Sequence, residues 1–463
     1  MTSAELLEAP AAPAAARAGG AGWLMLATTG SGVINYGYAL ILTHGLPPAQ
    51  YTAFAAGQAL LMVRAAISGA GIPWILAREI GRAPGDHERH AVATTFAFWA
   101  NLALGVLLTL AVAGGVLIFG TLQDAAVVAT ASLIMSVGST GTGFLQGIGR
   151  MEAIAVLFTL EAIVKAGVGA GLVFCTGLGA AGALAGFVAG SLVLLLPLPR
   201  YRHLLRRPSW RPAEAALLRA AIRQTKLQAG VAITAAGDTV LVGVLGLGAV
   251  GGGPYQAASA LGRVPLFASN AVATAAFPQI SRDGSAARKA AALRSYLLVG
   301  IFMTAVMTTL PDTIRTLLFP ETFSSVGRWL PCAAVLGLAI GLLNLCVSFL
   351  QADDRHGAGG CLLVLTAGYL AVVALSGTIF GVAGLAVGSA TAALLAVAAL
   401  AILPPVRPGW RHLPLRDLAA VVAVALLLAV VGNVVLWLAI VAVAGVAVLV
   451  AGFPEFAPRF GRR

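Results

Sequence analysis

The recurrence of long apolar runs constrains this chain more than any other feature. Fourteen can be cut from the sequence, at about 22–43, 51–77, 91–119, 122–146, 153–174, 179–199, 226–249, 255–281, 295–318, 328–351, 358–379, 382–404, 418–433 and 435–453. Their lengths suit helices crossing a hydrocarbon core of roughly 30 Å. Only 10% of the 463 residues are charged, against about 25% in soluble chains, so this much apolar surface has no soluble core to hide in. The pattern predicts an all-α polytopic membrane protein with 12–14 transmembrane helices. The last two segments are crowded enough to form one re-entrant feature instead.

The cations set the orientation. All but five of the 29 lysines and arginines lie before the first segment, after even-numbered segments, or at the C-terminus. Runs such as "REIGRAPGDHERH" and "RYRHLLRRPSWRPAEAALLRAAIRQTK" carry most of them. Arg315 and Arg328 lie after odd-numbered segments, and Arg64, Lys165 and Arg263 lie inside segments. The positive-inside rule then predicts that both termini are cytoplasmic. The net charge of +12 is thereby read as a topology signal, and nucleic acid is not an expected partner. Residues 1–21, rich in Ala, Pro and Gly, read as a disordered cytoplasmic tail. They lack the basic start of a cleaved signal peptide. The four cysteines make no CxxC or Cys/His spacing, so neither a disulfide framework nor a metal site is expected.

An internal repeat fixes the architecture. "FLQGIGR" at 144–150 and "FLQADDR" at 349–355 are 205 residues apart. "YTAFAAG" from Tyr51 and "YQAASAL" from Tyr255 are 204 apart, followed by Pro73 and Pro278 and then by Arg78 and Arg282. "GAAG" at 179–182 parallels "GVAG" at 381–384. The shared offset predicts two six-helix pseudo-symmetric lobes in the same orientation, 22–199 and 226–405, joined by a basic cytoplasmic linker, 200–225. Residues 406–463 add two extra helices and a basic tail. Transporters built of two parallel repeats bind substrate at the repeat interface and rock the halves. The linker stretch "PAEAALLRAAIRQTK" reads as an interfacial helix on anionic lipid.

The charges inside the membrane mark the candidate site. Arg64 and Arg263 lie roughly 20 and 12 Å along their helices from Tyr51 and Tyr255. A central arginine costs about 2.5–3.5 kcal/mol to insert, so it normally faces a cavity or a partner. Two readings stand: an ion pair of Arg263 with Asp238, or a cationic cavity whose planar guanidinium forks grip an anionic substrate such as phosphate. Asp238 is either that counter-ion or a proton or sodium coupling site. Glu161 and Lys165, spaced i,i+4 with Glu first, pair along one helix or contact the cavity. Asn35 and Tyr36, in the polar first segment "TTGSGVINYGY", either line the cavity or serve close helix packing. No nucleotide-binding loop or soluble domain for ATP hydrolysis is present in the sequence, and no paired carboxylates for glycosyl transfer. No cofactor is expected, and a transporter is favoured over an integral-membrane glycan enzyme.

The segments "GLPPAQYTAFAAGQALL", "GDTVLVGVLGLGAVGGGPYQAASALGRVPLF", "AAFPQIS" and "FLQGIGR" resemble the polysaccharide flippases of the multidrug/oligosaccharidyl-lipid/polysaccharide exporter superfamily. Asp238, Tyr255 and Pro278 match the family pattern, and the resemblance covers about residues 22–405. It implies alternating access of two six-helix lobes in the bacterial inner membrane. The implied cargo is an undecaprenyl-pyrophosphate-type oligosaccharide moved from the inner to the outer leaflet for surface polysaccharide, with a glycosyltransferase or polymerase as the implied partner. Lipid II flippases also carry arginines on the second and eighth spans and two extra C-terminal spans, but this chain lacks their first-span arginines. The drug-exporting branch tends toward acidic cavities, and Asp238 keeps that alternative open.

Overall fold

In a computed structural model, the chain is described for residues 19–83, 85–207, 212–353, 358–413 and 415–452. The expected extreme N-terminal and C-terminal tails, and Arg355 of the second repeat motif, lie outside the described residues. The first lobe consists of α1 (Gly19–Gly45), α2 (Pro48–Ala70), α3 (Ile72–Arg82), α4 (His87–Val116), α5 (Leu122–Gly147), α6 (Met151–Thr176) and α7 (Gly179–Val193), followed by the short α8 (Leu198–Tyr201). The second consists of α9 (Pro212–Val244), α10 (Gly252–Gly262), α11 (Val264–Asp283), α12 (Ala286–Thr308), α13 (Asp312–Leu318), α14 (Val326–Ala352) and α15 (Ala358–Ala401). After α16 (Arg407–Arg411), α17 (Leu415–Val430) and α18 (Val434–Gly452) complete the chain. Ten helices among the described residues are long and apolar enough to cross a membrane.

Several boundaries differ from the sequence reading, each for a physical reason. The 44-residue α15 holds two expected spans. Gly381, at φ 61° and ψ −147°, breaks the helical backbone between them. A side chain added at Gly388 would sit 2.9 Å from Ser376 Cβ, a contact that only an antiparallel hairpin provides. The second span breaks at Gly71, two residues before Pro73, and the eighth at Arg263, two before Pro265. Each proline removes a backbone donor from the helix. The break in the eighth span thus falls at Pro265, and Pro278 lies within α11. The ninth span is α12, which begins earlier than expected and stops ahead of Pro311, so 312–318 forms a separate helix. The linker stretch from Pro212 is continuous with α9.

Lipid tails are as apolar as Leu, so helix association in a membrane rests on close packing of small residues. A Cβ at Gly186 of α7 would stand 2.9 Å from Gly169 Cα of α6. The two lobes repeat such contacts in register. Gly57 of α2 faces Leu184 of α7 and, at 3.7 Å from its added Cβ, Val128 of α5; Gly262, 205 positions after Gly57, faces Ala333 of α14, 205 after Val128. The lobes meet chiefly where α2 runs along α9 and α10, with α1 against α10. The largest cluster of buried apolar residues crosses both lobes at the end opposite the basic loops, and includes Tyr51, Phe54, Tyr255, Phe323 and Trp329. We call this the far end, and the other the basic end. The appended α17 and α18 pack on α12. Arg294 Nε meets Asp417 Oδ2 at 2.5 Å, and Trp437 Nε1 donates to Thr309 Oγ1 at 3.1 Å.

Candidate functional site

Tyr255, Ser259 and Arg263 stand at i, i+4 and i+8, so one face of α10 and the residue that caps it carry all three. That face meets Asp238 on α9. The chain can return so tightly because Gly246 (φ 66°) and Gly251 (φ 103°) take left-handed conformations in the connection, which glycine adopts without strain. Asp238 is fully buried. Its Oδ2 accepts from Tyr255 Oη at 2.8 Å and from Ser259 Oγ at 3.0 Å. Its Oδ1 accepts from Arg263 Nη2 at 2.6 Å. The same Nη2 donates to Thr239 Oγ1 at 2.6 Å. Tyr255 Oη also lies 3.3 Å from Ser389 Oγ of α15. Taking two charges out of water costs several kcal/mol each unless their remaining donors and acceptors are satisfied. Here the carboxylate is saturated and the guanidinium is not.

Among the described residues, the hydrogen bonds of Arg263 all leave from Nη2, and its Nε is buried without a partner. The side chain keeps 18% exposure. It lies close enough to Tyr36 of α1 and Tyr51 of α2 to act on both electrostatically, so a cation held by the second lobe addresses the first. Just below, the Tyr36 ring meets Phe267 of α11 edge-on at 5.5 Å between centroids. Gly32 permits that approach, since a Cβ there would stand 3.0 Å from the Phe267 ring. Above, Gln256 Nε2 donates to Thr239 O at 2.9 Å and approaches Thr52 O of α2 at 3.5 Å. Gly253 presses on Pro48, where a Cβ would come 2.5 Å from the carbonyl oxygen. The lobes are sealed at the far end, and Arg263 sits beneath the seal.

The structure brings Asp238, Arg263 and Tyr36 together. Asn35 is half-buried beside Tyr36 on α1. The other expected residues lie within the first lobe. Arg64 is 1% exposed, and its Nη2 contacts Ser136 Oγ of α5. Among the described residues no carboxylate pairs with it, and its Nε has no partner. Ser136 belongs to a polar lane between α4 and α5, where Thr109 donates to Ser132 and Asn101 to Thr140. Lys165 Nζ donates to Glu161 Oε1 at 3.0 Å and lies 4.9 Å from the Phe187 ring centroid. Sequence reading missed Ser259, Thr239, Gln256 and Ser389 as members of the network. The Tyr255–Ser259–Arg263 spacing was the available signal for the α10 face. Ser389 comes from a distant helix and left none.

Two pseudo-symmetric helical lobes with a cation at their interface are the plan of a transporter that binds its substrate between repeats. The profile of the family described as Polysaccharide biosynthesis protein matches residues 18–283, and the chain belongs to that family, a polysaccharide flippase of the superfamily its sequence resembles. Among curated proteins no relative matches. Solved structures show the same fold. A lipid II flippase, MurJ, in an inward closed conformation aligns with a TM-score of 0.70 and 14% identity, over 94% of this chain and 98% of that one. An inward-facing multidrug resistance transporter of the MATE family aligns with a TM-score of 0.61 and 15% identity, over 85% and 96%. A Vibrio cholerae MATE transporter, VcmN, aligns with a TM-score of 0.56 and 14% identity, over 86% and 98%.

Proposed function

We propose that this protein turns an anionic lipid-linked oligosaccharide from the inner to the outer leaflet of the bacterial cytoplasmic membrane, for assembly of surface polysaccharide. The half-satisfied guanidinium of Arg263 at the lobe interface supports this reading most directly. Its free edge offers donors in the fork geometry that suits a phosphate or pyrophosphate. Asp238 acts as counter-ion, holding Arg263 in place with its other oxygen bound by Tyr255 and Ser259. Tyr36 and Asn35 face the same headgroup from the first lobe. The basic end is cytoplasmic, so a far-end seal leaves Arg263 to receive cargo from the inner leaflet. Arg64 is a second anion contact, reached when the lobes rearrange. An intramembrane cation without a carboxylate is costly and is by default a functional residue. The Lys165–Glu161 pair is read as packing within the first lobe.

The test is a deletion strain, by mass spectrometry of its lipid-linked glycans and assay of its surface polymer. Accumulation of a complete lipid-linked repeat unit with loss of surface polymer supports the reading and names the glycan. Normal glycans together with heightened sensitivity to cationic dyes would overturn it in favour of drug efflux, with Arg263 then only the partner of Asp238. Accumulated lipid II would assign peptidoglycan precursor as cargo.

A further inference from the structure

One cavity among the described residues shares no residue with the Asp238–Arg263 network. It encloses about 460 Å³ between α3 and α4 of the first lobe and α9 and α15 of the second. Its walls run along α4 from Thr95 through Trp99 and Ala103 to Leu107, and along α9 from Leu218 to Ala229. Leu107 and Ile222 in these walls are exposed, so the cavity opens sideways, toward lipid. The polar atoms in it are grouped. Thr225 and Lys226 stand where the apolar segment 226–249 begins, and Trp99 lies opposite, its Nε1 donating to Arg206 O at 3.1 Å. That is the level at which tryptophan marks a membrane interface. From Trp99 to Leu107 the wall continues inward for about 12 Å with apolar side chains.

The rim is built rather than incidental. Arg206 makes a two-point bridge to Glu88, at 2.6 and 2.7 Å. Thr95 Oγ1 donates to Leu204 O and accepts from Arg206 N. The linker is thereby strapped to the start of α4, and it edges the cavity. Arg206 is neutralised by Glu88, but among the described residues no carboxylate pairs with Lys226. Among the described residues no carboxylate lines the cavity. At the level of Ala221 and Thr225, Gly71 lets α9 pass close, with a Cβ there only 2.9 Å from Ala221 O, so both lobes border the space.

We propose that this cleft holds one acyl chain of an anionic glycerophospholipid from the leaflet at the basic end, with the lipid phosphate on Lys226. An unpaired cation at the interface, with apolar walls leading inward, complements a lipid of that charge. The separation from Arg263 makes this lipid a resident at the lobe interface and not the cargo.

The test is photo-crosslinking of the full-length protein in vesicles of phosphatidylglycerol and phosphatidylcholine, with a mid-chain diazirine on one lipid at a time. Labelled phosphatidylglycerol is expected to mark residues 96–107 and 218–229 above all other membrane-facing segments. The variant Ala103→Trp, at an exposed wall position, should remove that labelling. Lys226→Gln should reduce the preference for phosphatidylglycerol over phosphatidylcholine about fivefold, the share of one interfacial cation, while leaving chain labelling in place. Uniform labelling of all membrane-facing helices, or labelling unchanged by Ala103→Trp, would overturn the site. Loss of labelling on adding polyprenyl phosphate would assign the cleft to the cargo and equally overturn it. Since the readout is lipid contact, it stands or falls separately from the transported substrate.

Discussion

Arg64 and Ser269 occupy the same place in the two halves of the chain. Each lies 72 positions before its partner, Ser136 for Arg64 and Gly341 O for Ser269, so the two contacts repeat at an offset of 205. Gly57 and Gly262 keep that same offset. Arg263, next after Gly262, therefore corresponds to Gln58. The two intramembrane arginines are not symmetry mates. The first lobe carries its cation deep inside, and the second carries its own at the interface. The two halves of the chain thus differ in charge where their backbones repeat.

Arg64→Met tests whether the enclosed cation is there for stability. Ser136 Oγ already donates to Ser132 O at 2.9 Å, so removing the guanidinium leaves no orphaned hydroxyl. An apolar side chain of similar length should leave thermal stability unchanged or raised by about 1–3 kcal/mol. Transport should nevertheless fall in a vesicle flipping assay. A variant that is both stable and fully active would remove Arg64 from the mechanism.

Arg263 is the more exposed bet. Arg263→Ala strands the Asp238 charge among buried groups, at a cost of about 3–5 kcal/mol, so loss of activity alone would be ambiguous. The neutral pair Asp238→Asn with Arg263→Gln relieves that charge. The double variant should recover most of the lost melting temperature while transport stays down about tenfold or more, the worth of a charged hydrogen bond to the cargo. Recovery of transport along with stability would make the pair purely structural.

Tyr255→Phe separates anchoring from coupling. It deletes one donor to Asp238 Oδ2, which Ser259 still serves. The expected cost is about 1–3 kcal/mol in stability, read by thermal unfolding in detergent, with the dependence of transport on a proton or sodium gradient unchanged. A shift in gradient dependence would mean that Asp238 titrates or binds a cation during the cycle.

The sequence carried the fold better than the site. Hydrophobic period, cation placement and the 205-residue offset are properties of single segments and survive without tertiary contacts. That is why the all-α, two-lobe plan could be read. Helix ends were displaced wherever proline intervened, as at Pro265 and Pro311. The pairing of Asp238 with Arg263 was one of two readings, since composition shows a charge but not its neighbour. Arg64 shows the limit most plainly. Its depth in the span matched a cavity position, but burial depends on which face of α2 meets α5, and Ser136 and Gly105 decide that from other helices.

The far-end seal offers the most direct view of the transport cycle. Gly253 is what allows α10 to meet Pro48, and any Cβ there must push the lobes apart. Gly253→Val should therefore favour a state open at the far end. Thr52, 5% exposed beneath that contact, can report it as a cysteine, once the exposed native Cys175 and Cys361 are replaced. A membrane-impermeant maleimide added from outside the cell should label Thr52→Cys slowly in the parent and about tenfold faster or more with Gly253→Val, a preference for the open state of roughly 1.4 kcal/mol. Equal rates would show that this glycine does not hold the seal, and the alternating-access assignment of the α2–α10 contact would fail with it.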